Sequence, residues 1–215
     1  FSLLWLTLLF FVGSLSAQLK LKNSDNLNSL ANALQKARDN KSNAEIADVY
    51  FITAEYYQYR SYNFDKAFEN YVNARQYYLR ENDVSKVKFI DLFIADRYVN
   101  LGLYQEGLDI YEDLLRYYEE QADWKTAANI LYKMSRTYRY RGDSEKNLEL
   151  LNKAESYNKK IQDTLLIANI KLDKIESYIH LNEKDSALIV AAAVVELASK
   201  AKDDKAMSKA LYFVG

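Results

Sequence analysis

Two stretches decide the fold: Ile94–Leu115, IADRYVNLGLYQEGLDIYEDLL, and Met134–Ala154, MSRTYRYRGDSEKNLELLNKA. Tyr98 and Gly102 of the first recur as Tyr138 and Gly142 of the second, 40 residues on. Another 40 residues lead to Tyr178-Ile179-His180-Leu181-Asn182, and 40 back lead to Gln58–Phe64, a weaker match with Tyr57 and Tyr59 on either side of Gln58. Further columns share the period. One is Asn43, Asp83, Asp123, Asp163 and Asp203; others are Ala67, Gly107, Asn147 and Ala187, and Ala74, Leu114, Ala154 and Val194. An internal period of this length marks a repeat architecture.

Each column has a physical reading. An Asp or Asn accepts hydrogen bonds from the free N–H groups of a helix's first turn and suits its dipole, so the acidic column predicts helix starts. Apolar residues follow at helical spacing: Val87, Ile90, Ile94 and Tyr98 after Asp83, and Ala127, Ile130, Leu131, Met134 and Tyr138 after Asp123. The pattern stops at Gly102, Gly142 or Asn182, residues that accept the left-handed conformation ending a helix. A second helix then starts near Tyr104, Ser144 or Lys184, and its small residues Ala67, Gly107 and Ala187 let the paired helix approach closely. Each period is thus an antiparallel helix pair, and such pairs bury their apolar faces only by stacking into an all-α solenoid. A half-repeat over Ser24–Asp39, full units from Asn43, Asp83, Asp123 and Asp163, and a fifth unit broken off at Gly215 are expected. Caps and glycines at this period contradict a sustained coiled coil. No Pro/Gly/Ser-rich linker divides residues 24–215, which are expected to form one repeat domain, truncated at its end.

The composition agrees. The 215 residues include no Pro, as suits long helices, and no Cys, which removes disulfides, thiolate metal sites and cysteine nucleophiles. The single His excludes a multi-histidine metal site. Twenty-nine basic residues against 30 acidic ones give a net charge of -1, unlike a nucleic-acid binder.

Phe1–Ala17 carries no charge and 12 of its 17 residues are apolar; Ser14-Leu15-Ser16-Ala17-Gln18 then resembles a cleavage region. The run is short for a membrane span of about 20 residues. It reads as an export signal whose start is missing, with an uncleaved anchor as the alternative, and export places the chain in the periplasm or otherwise outside the cytoplasm. The later segments are too polar to span a membrane, so no membrane contact is expected from the repeats themselves.

The quoted stretches resemble tetratricopeptide repeats. Ala95, Tyr98, Gly102, Tyr104, Gly107, Tyr111 and Leu114 fit that family's pattern in one unit, and Ser135, Tyr138, Gly142, Leu151 and Ala154 in the next. The period is longer than the family's, its Pro is absent, and the early Trp/Leu column reads Phe51, Asp91, Leu131, Lys171 and Leu211. The resemblance covers Ser24–Gly215 and implies a right-handed solenoid that binds partners on its concave face. An export signal followed by slightly long repeats is similar to the extracytoplasmic region of bacterial membrane-spanning regulators. There the repeats precede a membrane helix and a histidine kinase or helix-turn-helix output domain.

The resemblance places the partner face on the first helix of each pair. Read at the 40-residue period, that face comprises Val49, Ile52, Tyr56, Tyr59 and Arg60; then Phe89, Leu92, Asp96, Val99 and Asn100; then Asn129, Tyr132, Arg136, Arg139 and Tyr140; then Asn169, Leu172, Glu176, Ile179 and His180. Aromatics supply contact area at low entropic cost and Arg can fork onto a carboxylate. The expected ligand is therefore a protein or peptide segment, with Asn129, Arg136 and Arg139 near an acidic group of it. The competing expectation pairs these arginines with Asp96 or Glu176. His180 is expected at an exposed helix end, and Tyr56–Tyr62 offers a weaker stacking surface for a sugar or base.

The carboxylate pairs Glu119-Glu120 and Asp203-Asp204 fall in connections, and no Gly-rich phosphate loop, H-E-x-x-H or G-x-S-x-G occurs. No catalytic residue, cofactor or metal is therefore assigned. The leading expectation is the partner-binding sensor region of a membrane-bound signalling protein. A scaffold for an envelope complex is the alternative, and a glycosidase helical domain is a remote one.

Overall fold

The computed structural model describes residues 27–201. Among them are nine α-helices and no strand: α1 (Leu27–Asp39), α2 (Asn43–Tyr59), α3 (Phe64–Arg80), α4 (Val84–Asn100), α5 (Tyr104–Glu120), α6 (Trp124–Tyr140), α7 (Ser144–Ile161), α8 (Thr164–His180) and α9 (Lys184–Ala201). The expected export run Phe1–Ala17, the start of the half-repeat at Ser24 and the fifth unit from Asp203 lie outside the described residues. Two compact units meet within α4, the first ending at Arg97 and the second beginning at Tyr98. In unit 1, α1 packs on α2 and α2 on α3; in unit 2, α5 packs on α6, α6 on α7, α7 on α8 and α8 on α9. Each unit is therefore an array of consecutive, mutually packed helices, as the repeat columns require.

The periodic turns have the backbone their residues suggest. Tyr62, Gly102, Gly142 and Asn182 share a positive φ, of 53°, 79°, 79° and 60°. The amide N–H groups of Leu103, Asp143 and Glu183 donate back to the carbonyls of Tyr98, Tyr138 and Tyr178, the long closing bond of a glycine-type helix end. Asp83, Asp123 and Asp163 then cap α4, α6 and α8, their carboxylates accepting from the backbone N–H of Lys86, Thr126 and Leu166 at 3.0–3.1 Å.

The first full repeat departs from the expected register. Its cap is Ser42, which accepts from the Glu45 N–H at 3.3 Å, rather than Asn43, the first residue of α2. Lys41 takes the positive φ that Asn82, Ala122 and Gln162 take later. The fully buried Ala54 therefore matches the fully buried Ala95, 41 residues on. The turn from Arg60 to Asn63 absorbs the slip with one residue more than Leu101–Leu103. Because a helix turns by about 100° per residue, this slip moves every side chain of α2 to a new direction.

The core follows the small and apolar columns. Ala47, Ala54, Ala67 and Ala74 are fully or almost fully buried in unit 1, as are Ala127, Ile130, Leu131, Leu151 and Ala154 in unit 2. Where the small column carries Asn147, the amide ties three helices. Its Nδ2 donates to the Ser135 carbonyl at 2.7 Å, and the Ser177 hydroxyl donates to its Oδ1. All three residues are buried, so each polar atom needs such a partner.

Charges in the early apolar column find partners on the preceding helix. Asp91 is buried and accepts from Arg75 Nε at 2.5 Å. Forty residues on, both places are leucines, Leu115 and Leu131, and both are buried. Forty further, the charges return reversed: Glu155 holds Lys171 at 3.1 Å and also the buried Lys174. One junction thus accepts Arg–Asp, Leu–Leu or Glu–Lys, provided that the two sides match. Removing one partner of a buried pair leaves a charge uncompensated, whereas an apolar pair costs little. Arg75→Leu alone is expected to lower stability by about 2 kcal/mol, discounted because Arg75 is over one-third exposed. Arg75→Leu with Asp91→Leu should recover most of the loss in urea denaturation. A double variant as unstable as the single would refute the pairing.

Glu155 also generates a pH dependence. Burial pushes its carboxyl up, but the hydrogen bonds from Lys174 and Lys171 outweigh burial and hold it below the ordinary value. The unfolded chain then takes up a proton first as pH falls, so the contribution of Glu155 is present above the ordinary carboxylate value and lost on acidification. Glu155→Gln should be less stable than the native chain at pH 7, the gap closing as pH falls below about 4. A gap independent of pH would contradict this electrostatic origin.

Candidate functional site

The one-residue slip in α2 changes the face that the even period predicts. Val49 and Ile52 are buried, Val49 matching Ile90 of the α4 core, so neither is open to a partner. Tyr56 is half-buried with its ring 5.7 Å from that of Tyr57, and Arg60 lies exposed at the end of α2. The places on α2 equivalent to Phe89, Leu92 and Asp96 are instead Asp48, Phe51 and Glu55. Ser42-Asn43-Ala44-Glu45 contains the signal that would have found them. A Ser followed three residues later by Glu is a capping pattern, and it outranks an Asn one position on.

Phe51 joins a ring cluster in unit 1. Its centroid lies 5.9 Å from Phe89, 6.3 Å from Phe93 and 5.8 Å from Tyr71. Tyr71 stacks on Phe93 at 4.6 Å, and Phe89 meets Phe93 edge-on at 5.3 Å. The rings pass from the core outward: Tyr71 is buried, Phe51 and Phe93 are half-buried, and Phe89 is 46% exposed. Leu92 and Asp96 are half-buried beside them, and Tyr59 is 56% exposed. The Tyr71 hydroxyl is buried without a hydrogen-bond partner, and its phenol pKa is pushed far up by burial, then by Tyr59 and Glu55. Burial and the carboxylates of Glu55 and Asp96 likewise raise that of Tyr59. These two acids therefore act on the same hydroxyl at the edge of the ring cluster.

In unit 2 the corresponding face neutralises itself. Arg139 Nη1 donates to Asp173 Oδ1 at 2.9 Å and to Glu176 Oε2 at 2.5 Å, joining α6 to α8. Burial alone would lower the Arg139 pKa; Asp173 and Glu176 reverse the sign and raise it. Arg136 is exposed and donates to the Tyr140 hydroxyl at 2.8 Å, with its guanidinium 5.8 Å from that ring's centroid. Asn129 spends its amide on the Lys125 carbonyl at 2.9 Å. Tyr132 is half-buried beside Asp173, and Leu172 is buried in a cluster with Ile175, Ala187, Ala191 and Val194. The competing expectation of Arg paired with Glu176 therefore holds for Arg139. Of the expected trio, Arg139 is held by α8, Asn129 bonds within its own helix and Arg136 is exposed.

Asn169 is half-buried, and Ile179 and His180 are exposed at the end of α8. Tyr140 is half exposed. His180 borders an open cleft of about 580 Å³ with Arg139, Arg141, Asp143 and Glu145, whose charges offset one another. Val99 is half-buried and Asn100 exposed at the end of α4. Among the described residues, no group of three or more His, Asp or Glu side chains could hold a metal ion. No helix among them is long and apolar enough to cross a membrane. No protein-family model matches the chain, and no curated protein matches it either.

Two outcomes follow from the Arg139 network. Arg139→Met leaves Asp173 and Glu176 close together without their cation and should cost about 2 kcal/mol, whereas Arg136→Met at an exposed site should stay within about 0.5 kcal/mol. Equal losses in urea denaturation would contradict the network. Burial raises the Asp173 carboxyl above 3.8 despite Arg139. The folded chain therefore holds a proton there that the unfolded chain has already lost, and stability falls as pH rises through the window just above 3.8. Over that window the native chain should lose stability relative to Asp173→Asn. Parallel curves would show that Asp173 does not titrate as a buried acid.

Proposed function

We propose that this chain is a partner-binding helical-repeat protein of the tetratricopeptide type. In this reading it acts outside the cytoplasm as the sensor region of a membrane-bound signalling protein. The observation that carries the binding role is the ring cluster on α2 and α4, whose outermost member Phe89 lies half exposed. Exposed aromatic surface continuous with a packed core is what a partner's side chains can bury at little entropic cost. The repeat columns and the turns at Gly102 and Gly142 support the tetratricopeptide assignment. The uncharged apolar run Phe1–Ala17 supports export.

The binding role is tested by selecting a random dodecapeptide library on the full chain. Peptides should be recovered whose affinity falls about tenfold or more on Phe89→Asp, a loss of the size expected of an aromatic anchor. An empty selection, or peptides indifferent to Phe89→Asp, would defeat this reading. Export is tested separately by fusing a phosphatase that is active only outside the cytoplasm after residue 201; an inactive but intact fusion would contradict it.

A further inference from the structure

The Tyr71 hydroxyl is the atom of unit 1 that the packing does not explain. Tyr71 stands on α3 and is 2% exposed, and among the described residues no group hydrogen-bonds its hydroxyl. Buried polar atoms nearly always have partners, because giving up water without one costs free energy. The repeat does not require a hydroxyl at this place. Along α3 the even 40-residue period holds, and the place of Tyr71 passes to Tyr111, Leu151 and Ala191, all buried. Leu151 and Ala191 fill it without any polar side-chain atom. The Tyr71 ring stacks on Phe93 at 4.6 Å and lies 5.8 Å from Phe51, within the cluster whose outer member is Phe89. After burial, the groups that act on its hydroxyl are Tyr59 and Glu55 of α2.

We propose that Tyr71 is the hydrogen-bonding floor of the partner site, its hydroxyl donating to an uncharged polar side chain of the partner, that of Asn, Gln, Ser or Thr, inserted between the rings of Phe51 and Phe93. The proposal rests on the partner-binding reading and names the chemistry of the group received. Burial pushes the Tyr71 phenol far above its ordinary pKa, so it keeps its proton and acts as a donor. Rings around the hydroxyl make a charged group costly to bury, whereas an uncharged acceptor is admitted once it is hydrogen-bonded. The hydroxyl lies beneath the ring cluster, which a side chain reaches and a partner's main chain does not. Phe51 and Phe93 are only half-buried, and side-chain rotamer changes of the kind needed to admit the group are common on binding. Apolar residues on either side of the inserted one would cover Leu92 and the exposed edge of Phe89.

The dodecapeptides recovered on the full chain test this through Tyr71→Phe, which removes one oxygen atom and keeps the ring. Because that oxygen has no partner within the chain, Tyr71→Phe should unfold at a urea concentration no lower than the native chain. It should nevertheless weaken the Phe89-dependent peptides about tenfold. Those peptides should share an Asn, Gln, Ser or Thr flanked by apolar residues. Replacing that residue by its apolar counterpart of similar shape (Leu, Met, Ala or Val) should weaken binding about tenfold to the native chain and little to Tyr71→Phe. Such coupling is the mark of a direct contact. Phe89-dependent peptides indifferent to Tyr71→Phe would overturn the proposal and leave the binding role standing, the hydroxyl then being satisfied by water alone. Losses that add without coupling would overturn it equally. A less stable Tyr71→Phe would overturn it too, by assigning the hydroxyl to the fold. An empty selection would overturn both readings.

Discussion

A first helix in this chain must pack on the helix before it, on its own hairpin partner and on another first helix. In unit 1, α2 packs on α3, the two helices burying Ala47, Ala54, Ala67 and Ala74, and α2 meets α4 through the ring of Phe51. In unit 2, α6 packs on α7, and α8 is joined to α6 through Asn147, Ser177 and Arg139. The buried stripes leave a first helix a limited face for solvent or a partner. A slip of one residue rotates every stripe together, which is why the register of α2 decides which side chains a partner could meet.

The same constraint explains which columns tolerate charge. A stripe that packs against a neighbouring helix accepts a carboxylate when that neighbour supplies a guanidinium, as Arg75 does for Asp91, and accepts lysines when it supplies Glu155. The early Trp/Leu column of the resembled family is therefore a place for matched pairs here, with Leu115 and Leu131 as its apolar version. Opposite signs at equivalent junctions also penalise stacking a hairpin out of order, since Arg75 against Lys171 would bury two cations together.

The helix starts at Tyr104, Ser144 and Lys184, the caps Asp83, Asp123 and Asp163, and the left-handed turns were legible in the sequence because each depends on local backbone chemistry. The candidate face was legible only where the period held: Phe89, Leu92 and Asp96 sit where the pattern puts them. In α2 an even 40-residue count misplaced the face by one residue, although the Ser42–Glu45 capping pattern carried the correction. The fate of Arg139 was not legible, because Asp173 and Glu176 reach it through the spacing between α6 and α8, and a sequence does not state which of several carboxylates an arginine will meet.

The candidate face depends on Phe51, rather than a neighbour, pointing at α4. Ring-to-ring nuclear Overhauser effects measure that directly in the full chain with labelled aromatic residues. Cross-peaks from Phe51 to Phe89, Phe93 and Tyr71 are predicted, together with a strong Tyr71–Phe93 peak from their stacked rings. A Phe51 ring without contacts to Phe89 and Phe93, with Ile52 touching them instead, would restore the even 40-residue register and contradict the account.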